Sequence, residues 1–357
     1  MRFTRTQRSL SRKIAAADAL ARAGRYDEAI SSLHALNRAR PDRSIEVRLV
    51  ELRSEAFARV SKPAHRPAWP EAVPDLFPGA VIPEVDAGEV TVEHVRSAVW
   101  NHGSLIVRGL VGRERVGQLV DDIDAALEAH ESTLEGTASE EATRWYRPIA
   151  QERMTNVELK RFRGAVITRG SVLTAESPRS LFDLIETFHE TRLAPLLHDY
   201  FGERPMLLAR KCTLRRISPN GQNGGWHQDG AFMGAGIRSL NVWIPLTHCG
   251  DTAPGLDIVG RRLDEIVQTG QGAIYAWATD PDAAERAAAG TIVRPIFEPG
   301  DALVFDHMNL HRTAVDAGMQ HDRYAIETWL MAPSTYESMT SDADAQYAPR
   351  DQIPILF

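Results

Sequence analysis

Residues 299–313 read Pro299-Gly300-Asp301-Ala302-Leu303-Val304-Phe305-Asp306-His307-Met308-Asn309-Leu310-His311-Arg312-Thr313. Pro-Gly-Asp is turn chemistry, because proline presets φ and glycine accepts conformations that other residues avoid. The four apolar residues after it form a short run bounded by turn signals, the pattern of a buried strand. A histidine just past such a strand can be aimed across the interior of a barrel. The same grammar recurs on the N-terminal side. Residues 206–217, 240–246, 272–277, 302–305 and 324–331 are short apolar runs separated by Gly, Pro and Asp. That spacing predicts an antiparallel sandwich or barrel. Residues 281–290 read as a small helical or loop insert.

Further upstream, residues 103–109 read as another buried strand. A helix follows over 113–130, with Val116, Leu119, Val120, Ile123 and Leu127 on one stripe. A second amphipathic helix is expected over 178–200, with Leu181, Leu184, Ile185, Phe188, Leu193 and Leu196. Residues 132–176 between them are polar and weakly periodic, and loops of that length are often lids. With Arg144, Trp145, Tyr146, Arg161 and Arg163, this segment is expected to cover the mouth of a site and set selectivity. Pro63, Pro67, Pro70, Pro74, Pro78 and Pro83 exclude a helix and suit an extended linker over 63–89, where the domain boundary falls. Before it, Ala16, Leu20, Gly24, Tyr26, Ala29, Leu33 and Pro41 trace two helices joined at a glycine, resembling a single tetratricopeptide unit. A third helix is expected near 44–60. One such unit cannot bury both faces, so the extension over 1–62 is read as a cap on the main domain or on a partner chain. It also offers a surface for self-association. The main domain then spans 90–335, and 336–357 is a tail.

Composition limits the function. The chain has 357 residues, 43% hydrophobic and 25% charged, as in an ordinary globule. A net charge of −7 argues against a nucleic-acid partner, since such domains are usually basic. The charge is uneven, because residues 1–62 carry 14 Lys/Arg against 7 Asp/Glu. The first seventeen residues lack acids and superficially suit a transit peptide, yet they run on into the helical pattern. No secretory signal and no membrane span is expected, for want of an apolar segment long enough. Two cysteines, Cys212 and Cys249, give no disulfide framework and suit a reducing compartment, the cytoplasm.

The chemistry begins at Trp226-His227-Gln228-Asp229. On an extended strand, residues i and i+2 share a side, so His227 and Asp229 would offer a nitrogen and a carboxylate to one point. Alone this is weak, since twelve histidines make one His-x-Asp about what chance supplies. His311, aimed across a barrel, would complete a set of two histidines and one carboxylate. Such a facial triad leaves three adjacent positions of an octahedron open, as a non-haem iron oxygenase requires: two for a chelating co-substrate and one for O2. Arg323 opens the apolar run Tyr324-Ala325-Ile326-Glu327-Thr328-Trp329, and a buried arginine needs an anion. Its planar fork suits a carboxylate, to which Thr313 could add a hydroxyl. The bland alternative pairs Arg323 with Asp322 or Glu327.

Taken together, Trp226-His227-Gln228-Asp229, Asn241-Val242-Trp243-Ile244-Pro245, Pro299-Gly300-Asp301, His311-Arg312-Thr313 and Arg323 resemble the phytanoyl-CoA dioxygenase family of Fe(II)- and 2-oxoglutarate-dependent oxygenases. The resemblance spans roughly residues 90–333. It implies a mainly β fold, a double-stranded β-helix (jelly roll, cupin-like) with helices packed on one sheet, beside the small α-helical N-terminal extension. It implies Fe(II) on His227, Asp229 and His311, and 2-oxoglutarate held at its distal carboxylate by Arg323 and Thr313, with Trp243 beside it. O2 would be the oxidant and a small molecule the substrate, hydroxylated at an unactivated C–H bond as 2-oxoglutarate becomes succinate. The family's polar residue on the preceding strand is open among Lys211, Thr213 and Arg215, read as sharing one face. Related halogenases carry a small residue in place of Asp229, so the intact carboxylate favours hydroxylation or another oxidation over halogenation.

Other features have plainer readings. His307 pairs with His311 at i, i+4, but Met308 stands where the zinc-protease pattern needs Glu, so His307 is read as structural. His248-Cys249-Gly250-Asp251 reads as a turn. Trp226 and Phe232 could shape a pocket or pack the core, and Arg238 could steady an acidic substrate. Two rival functions remain: a non-catalytic adaptor on the same fold, and a zinc hydrolase using the same three ligands.

Overall fold

Strand side chains alternate between two faces, and in this chain both faces of the largest sheet are covered. The computed structural model describes residues 5–59, 72–149, 170–270, 277–338 and 353–357. The described strands are β1 (Glu84–Asp86), β2 (Ser104–Arg108), β3 (Ser171–Leu173), β4 (Met206–Leu208), β5 (Thr213–Ile217), β6 (Ser239–Pro245), β7 (Gly255–Val259), β8 (Ile292–Val293), β9 (Ala302–Phe305), β10 (His311–Ala314), β11 (Arg323–Glu327), β12 (Trp329–Met331) and β13 (Pro354–Leu356). The helices are α1 (Arg5–Arg22), α2 (Tyr26–Ala39), α3 (Arg43–Arg59), α4 (Val92–His102), α5 (Arg113–Glu135), α6 (Ala142–Trp145), α7 (Pro178–Glu190), α8 (Leu193–Phe201), α9 (Gly230–Met233) and α10 (Pro281–Ala288).

A major sheet runs β1-β2-β9-β6-β11-β5-β3, with β12 joining β6 to β4 and β13 beyond β4. The minor sheet is β10-β7-β8. Together they make the double-stranded β-helix, or jelly roll. Leu240, Val242 and Ile244 of β6, Val304 of β9 and Ile326 of β11 join one large core with Leu119 and Ile123 of α5 and Leu184 and Phe188 of α7. The alternate residues Trp243, Leu303, Phe305 and Ala325 turn inward and meet Leu256 and Ile258 of the minor sheet. The Pro299-Gly300-Asp301 turn is built as its residues suggest. Gly300 has φ +90°, and a Cβ there would stand 2.2 Å from the Val111 carbonyl. Asp301 Oδ1 accepts from Gly109 N–H at 2.8 Å, and its Oδ2 accepts from Arg108 Nη1 at 2.6 Å.

Several sequence expectations need correction. The 324–331 run breaks at Thr328, whose hydroxyl takes a ladder position by accepting from Val242 N–H at 3.1 Å and donating to Val242 O at 2.9 Å. The 206–217 run breaks in a turn between β4 and β5. The helix expected over 178–200 divides at Arg192, which has φ +58°. Strand β7 was missed. The stretch read as a linker over 63–89 is described from residue 72, and there it is not free: β1 pairs in parallel with β2, and Leu76 N–H donates to Ser97 Oγ at 2.8 Å. Nor is 336–357 wholly a tail, because β13 gains main-chain partners along β4. Within the loop read over 132–176, α5 runs on to Glu135, α6 forms, and β3 edges the major sheet. Arg161, Arg163, most of the strand expected over 272–277 and part of the tail lie outside the described residues.

The three N-terminal helices share the large core. Ile30, Leu33, Ile45, Leu49 and Leu52 are buried in it. Glu186 of α7 receives Arg38 at 2.6 Å, and Arg53 Nη1 donates to Leu356 O at 2.9 Å.

Candidate metal and co-substrate site

His227 and His311 face each other as an antiparallel bridge pair. His227 N–H donates to His311 O at 3.0 Å, and His311 N–H donates to His227 O at 3.1 Å. Directly opposed residues project to the same side, and the two ring centroids are 4.4 Å apart. Each Nδ1 faces a carbonyl: Gly225 O at 2.9 Å for His227 and Asn309 O at 3.1 Å for His311. A carbonyl only accepts, so Nδ1 holds the proton and Nε2 keeps a lone pair. Burial pushes both imidazole pKa values down, and at His227 the neighbouring His311 adds to the effect. Both rings are therefore neutral near pH 7, the form that ligates a metal.

Asp229 arrives differently from the expectation. It is not on an extended strand; its φ −63° and ψ −29° start the single turn α9. Gly230 N–H donates to His307 O at 2.8 Å, and a Cβ on Gly230 would lie 2.8 Å from Ile266 Cδ1. Glycine thus lets the chain fold back tightly after Asp229. The carboxylate still reaches the histidines, with Oδ1 3.8 Å from His227 Nε2. One ligand atom from each of His227, Asp229 and His311 lies within 4.8 Å of the others, the one such group found among the described residues. Gln228, between two of them, points away. It donates to Glu265 O at 3.1 Å and Met308 O at 2.8 Å and accepts from Val267 N–H at 2.7 Å.

The residues fit a metal by their unmet needs. Asp229 is 1% exposed, and its Oδ2 has no hydrogen-bond partner, nor has Asn241 Oδ1. An orphaned buried acceptor costs about 1–3 kcal/mol. Burial pushes the Asp229 carboxyl well up, and the nearby Lys211 ammonium opposes this. A cation among the three side chains would restore the carboxylate and satisfy its oxygen.

Arg323, at the start of β11, is 0% exposed. Its Nη1 donates to Gly255 O at 3.0 Å, and its guanidinium stands 5.4 Å from the Trp243 ring. Nε and Nη2 have no partner. Burial lowers its pKa to about 10, so it stays charged. The structural-pair reading fails: Glu327 holds Arg215, with Nη2 to Oε2 at 2.9 Å, and among the described residues Asp322 pairs with Arg216 at 3.9 Å. A buried cation with two unmet donors fits a carboxylate. Thr313 pairs in register with Leu256, next to Gly255, and lies two residues from His311 on the same strand. Trp243 faces inward from β6, packed on Phe297 at 5.1 Å.

Of Lys211, Thr213 and Arg215, expected on one face, Thr213 and Arg215 stand two apart on β5 and share one, and Lys211 does not. Lys211 belongs to the turn before β5, and Thr213 Oγ1 donates back to its carbonyl at 3.0 Å. Arg215 lies on β5, held by Glu327 on the neighbouring β11. His307 is structural, its Nε2 donating to Ala235 O at 3.2 Å. Trp226 packs beneath Arg312, whose guanidinium is 4.6 Å from its ring. Sequence reasoning missed Gln228, the Arg215–Glu327 pair and Trp277. Only the position of Gln228 between two ligands could have pointed to it.

A family model described as Phytanoyl-CoA dioxygenase (PhyH) matches residues 100–317. No curated protein matches. Among solved structures, the chain is similar to EvdO2 from Micromonospora carbonacea var. aurantiaca complexed with 2-oxoglutarate, with 15% identity, TM-score 0.44, and coverage of 71% of this chain and 94% of that one. It is similar to EctD from S. alaskensis with 2-oxoglutarate and 5-hydroxyectoine, with 17% identity, TM-score 0.45, and coverage of 70% and 80%. It is also similar to the non-heme alpha-ketoglutarate-dependent carbocyclase SnoK from nogalamycin biosynthesis, with 14% identity, TM-score 0.46, and coverage of 70% and 86%. With more than half of its length matched by the family model, this chain belongs to the phytanoyl-CoA dioxygenase family and is an iron- and 2-oxoglutarate-dependent oxygenase.

Proposed function

We propose that His227, Asp229 and His311 hold Fe(II), that Arg323 with Thr313 pairs the distal carboxylate of 2-oxoglutarate beside Trp243, and that the enzyme hydroxylates an unactivated C–H bond of a small molecule. The observation that carries this reading is the convergence of three ligand atoms, one carboxylate oxygen among them without a partner, in a chain whose buried Arg323 has two unmet donors. Bound iron supplies the activation of O2, coupled to decarboxylation of 2-oxoglutarate to succinate. The chain supplies position. Two carbonyls fix the imidazole tautomers, and Gly230 sets the turn that presents Asp229. Inward residues of both sheets exclude water. No helix among the described residues is long and apolar enough to cross a membrane. Two buried thiols, Cys212 and Cys249, support a cytoplasmic setting.

The test is anaerobic loading followed by O2. The wild type is expected to release succinate in an Fe(II)-dependent manner, while His227→Ala and His311→Ala release none and keep the native circular dichroism. Arg323→Ala is expected to raise the 2-oxoglutarate requirement by roughly tenfold to a hundredfold, the worth of one charge-assisted pair. Normal turnover in either histidine variant would remove those ligands from the site. Succinate release that needs no O2 would favour a hydrolase.

A further inference from the structure

Asn241 sits in the middle of β6, and its neighbours place it beside the metal-ligand candidates. It shares the inward face with Trp243, two residues on. In register it lies opposite Phe305 of β9 on one side and Trp329 of β12 on the other. The Phe305 ring packs on the His311 ring at 4.7 Å. The Trp329 ring meets Phe232 at 5.9 Å, and Phe232 lies three residues after Asp229 on α9. Asn241 is thus flanked by one ring that touches a ligand and another that touches the turn carrying a second ligand.

Its chemistry differs from that of its neighbours. Trp243, Phe305 and Trp329 are aromatic, whereas Asn241 brings an amide to a position only 6% exposed. A buried amide is unfavourable unless its donors and acceptor are matched. Here the match is incomplete, because Asn241 Oδ1 has no partner. Leucine has the same branched outline and would leave nothing unmatched, so packing does not explain an asparagine at this place. What the amide reaches is the Asp229 carboxylate. Burial disfavours the charge on Asp229, while the Lys211 ammonium and the Asn241 amide favour it. A carboxylate only accepts, so the edge of the amide facing it is the NH2 edge. The two residues also differ in their footing. Asp229 starts a single helical turn, whereas Asn241 is paired on both sides in the major sheet. The strand can therefore hold the turn's side chain in place.

We propose that Asn241 is a positioning residue of the metal site: its amide donates to one oxygen of Asp229 and leaves the other for the metal. A carboxylate engaged in this way ligates through a single oxygen, and three adjacent positions of the octahedron stay open. The inference rests on the reading of the three ligands given above, and its test separates the two.

Ni(II) is titrated calorimetrically into the full-length protein with 2-oxoglutarate present and O2 excluded, so that no turnover occurs. Ni(II) is chosen because such a site holds it more tightly than Fe(II) or Mn(II). Asn241→Leu replaces the amide atom for atom with an apolar group. It is expected to weaken Ni(II) binding by roughly tenfold to a hundredfold. The metal-free variant is expected to melt within about 2 °C of the wild type, since losing an unmatched acceptor offsets losing a donor. A residue that only packs would do the reverse, lowering the melting temperature and leaving the affinity alone. In an Asp229→Ala protein, Asn241→Leu is expected to change Ni(II) affinity by less than about twofold, because the group it acts through is gone. Unchanged affinity in Asn241→Leu, a larger drop in melting temperature, or the full loss repeated in the Asp229→Ala protein would each overturn the role. Should Asp229→Ala take up no Ni(II), the first two readouts decide alone. If Asn241→Leu does not fold, Asn241→Val is measured in its place, and failure of both makes the amide structural and overturns the role. A wild type that binds neither Ni(II) nor Mn(II) would remove the metal reading itself, an outcome distinct from a wild type that binds and a variant that binds equally well.

Discussion

Gln228 shows how much of the site depends on a side chain that points away from it. It is 0% exposed and spends both ends of its amide on three main-chain groups, at Glu265, Val267 and Met308. Those bonds tie the His227–Asp229 segment to the loop at 265–267 and, through Met308, to the chain just ahead of His311. Gln228→Ala leaves three main-chain groups unmet, of which the Met308 carbonyl is buried, at about 1–3 kcal/mol for each that water does not reach. It is expected to weaken Mn(II) binding by roughly tenfold to a hundredfold, as loss of a supporting partner does at other metal centres. Electron paramagnetic resonance titration measures this, and unchanged affinity would mean the ligands hold themselves. The convergence of His227, Asp229 and His311 and the burial of Arg323 were legible because each is a residue type with a strong chemical need and the set has a known pattern. Gln228 was not, because its partners are carbonyls and an amide whose place depends on the fold. Asp229 was legible for a partly wrong reason: the i, i+2 geometry of a strand was invoked, and a helical turn delivers it.

At the scale of elements, α5 and α7 meet over the major sheet through Asp122 and Asp183, both buried. Arg179 pairs with Asp183 at 2.6 Å and reaches Glu46 of α3 at 3.2 Å, and Arg115 stands 3.8 Å from Asp183. Burial raises both carboxyls, Asp122 to about 8 with help from the Asp183 charge, and Asp183 to about 6 against the pull of Arg179. Asp122 therefore carries the proton. The sign follows: the folded chain holds this proton more tightly than the unfolded one, so its stabilisation is whole below pH ~4 and is lost as pH rises toward 8. The melting temperature is expected to fall between pH 6 and 8.5, and Asp122→Asn to flatten that slope. Differential scanning calorimetry of both proteins decides it, and equal slopes would count against the shared proton. Element boundaries were partly legible. The run 302–305 and the helix from Arg113 were read closely, since both carry period and punctuation. The breaks at Thr328 and Arg192 were not, because one depends on a hydroxyl replacing a ladder bond and the other on a left-handed arginine.

Across the whole molecule, the N-terminal helices and the last strand belong to one body of packing. Apolar faces of α2 and α3 lie in the same core as Phe188, Leu356 and the outward face of the major sheet. Removing residues 1–59 would take Leu33, Ile45, Leu49 and Leu52 out of the core and bare the apolar side chains of α7 and β13 against which α3 packs, at about 1.5–3 kcal/mol for each large side chain left exposed. The shortened chain is expected to aggregate or melt at least about 10 °C lower, measured by light scattering and thermal unfolding. A stable, monomeric truncation would restore the view of a detachable appendage. Single-sequence reading could place three helices there but not their dock, which needs α7 and β13 already in place. The major sheet also divides the apolar interior unequally. The helices and the sheet's outer face hold the greater mass of buried side chains, while the chamber between the two sheets has a small lining of its own. The keel of this protein therefore lies on one side of a wall and its reaction vessel on the other. Changes that refit the vessel for a new cargo can accumulate without loosening the hull.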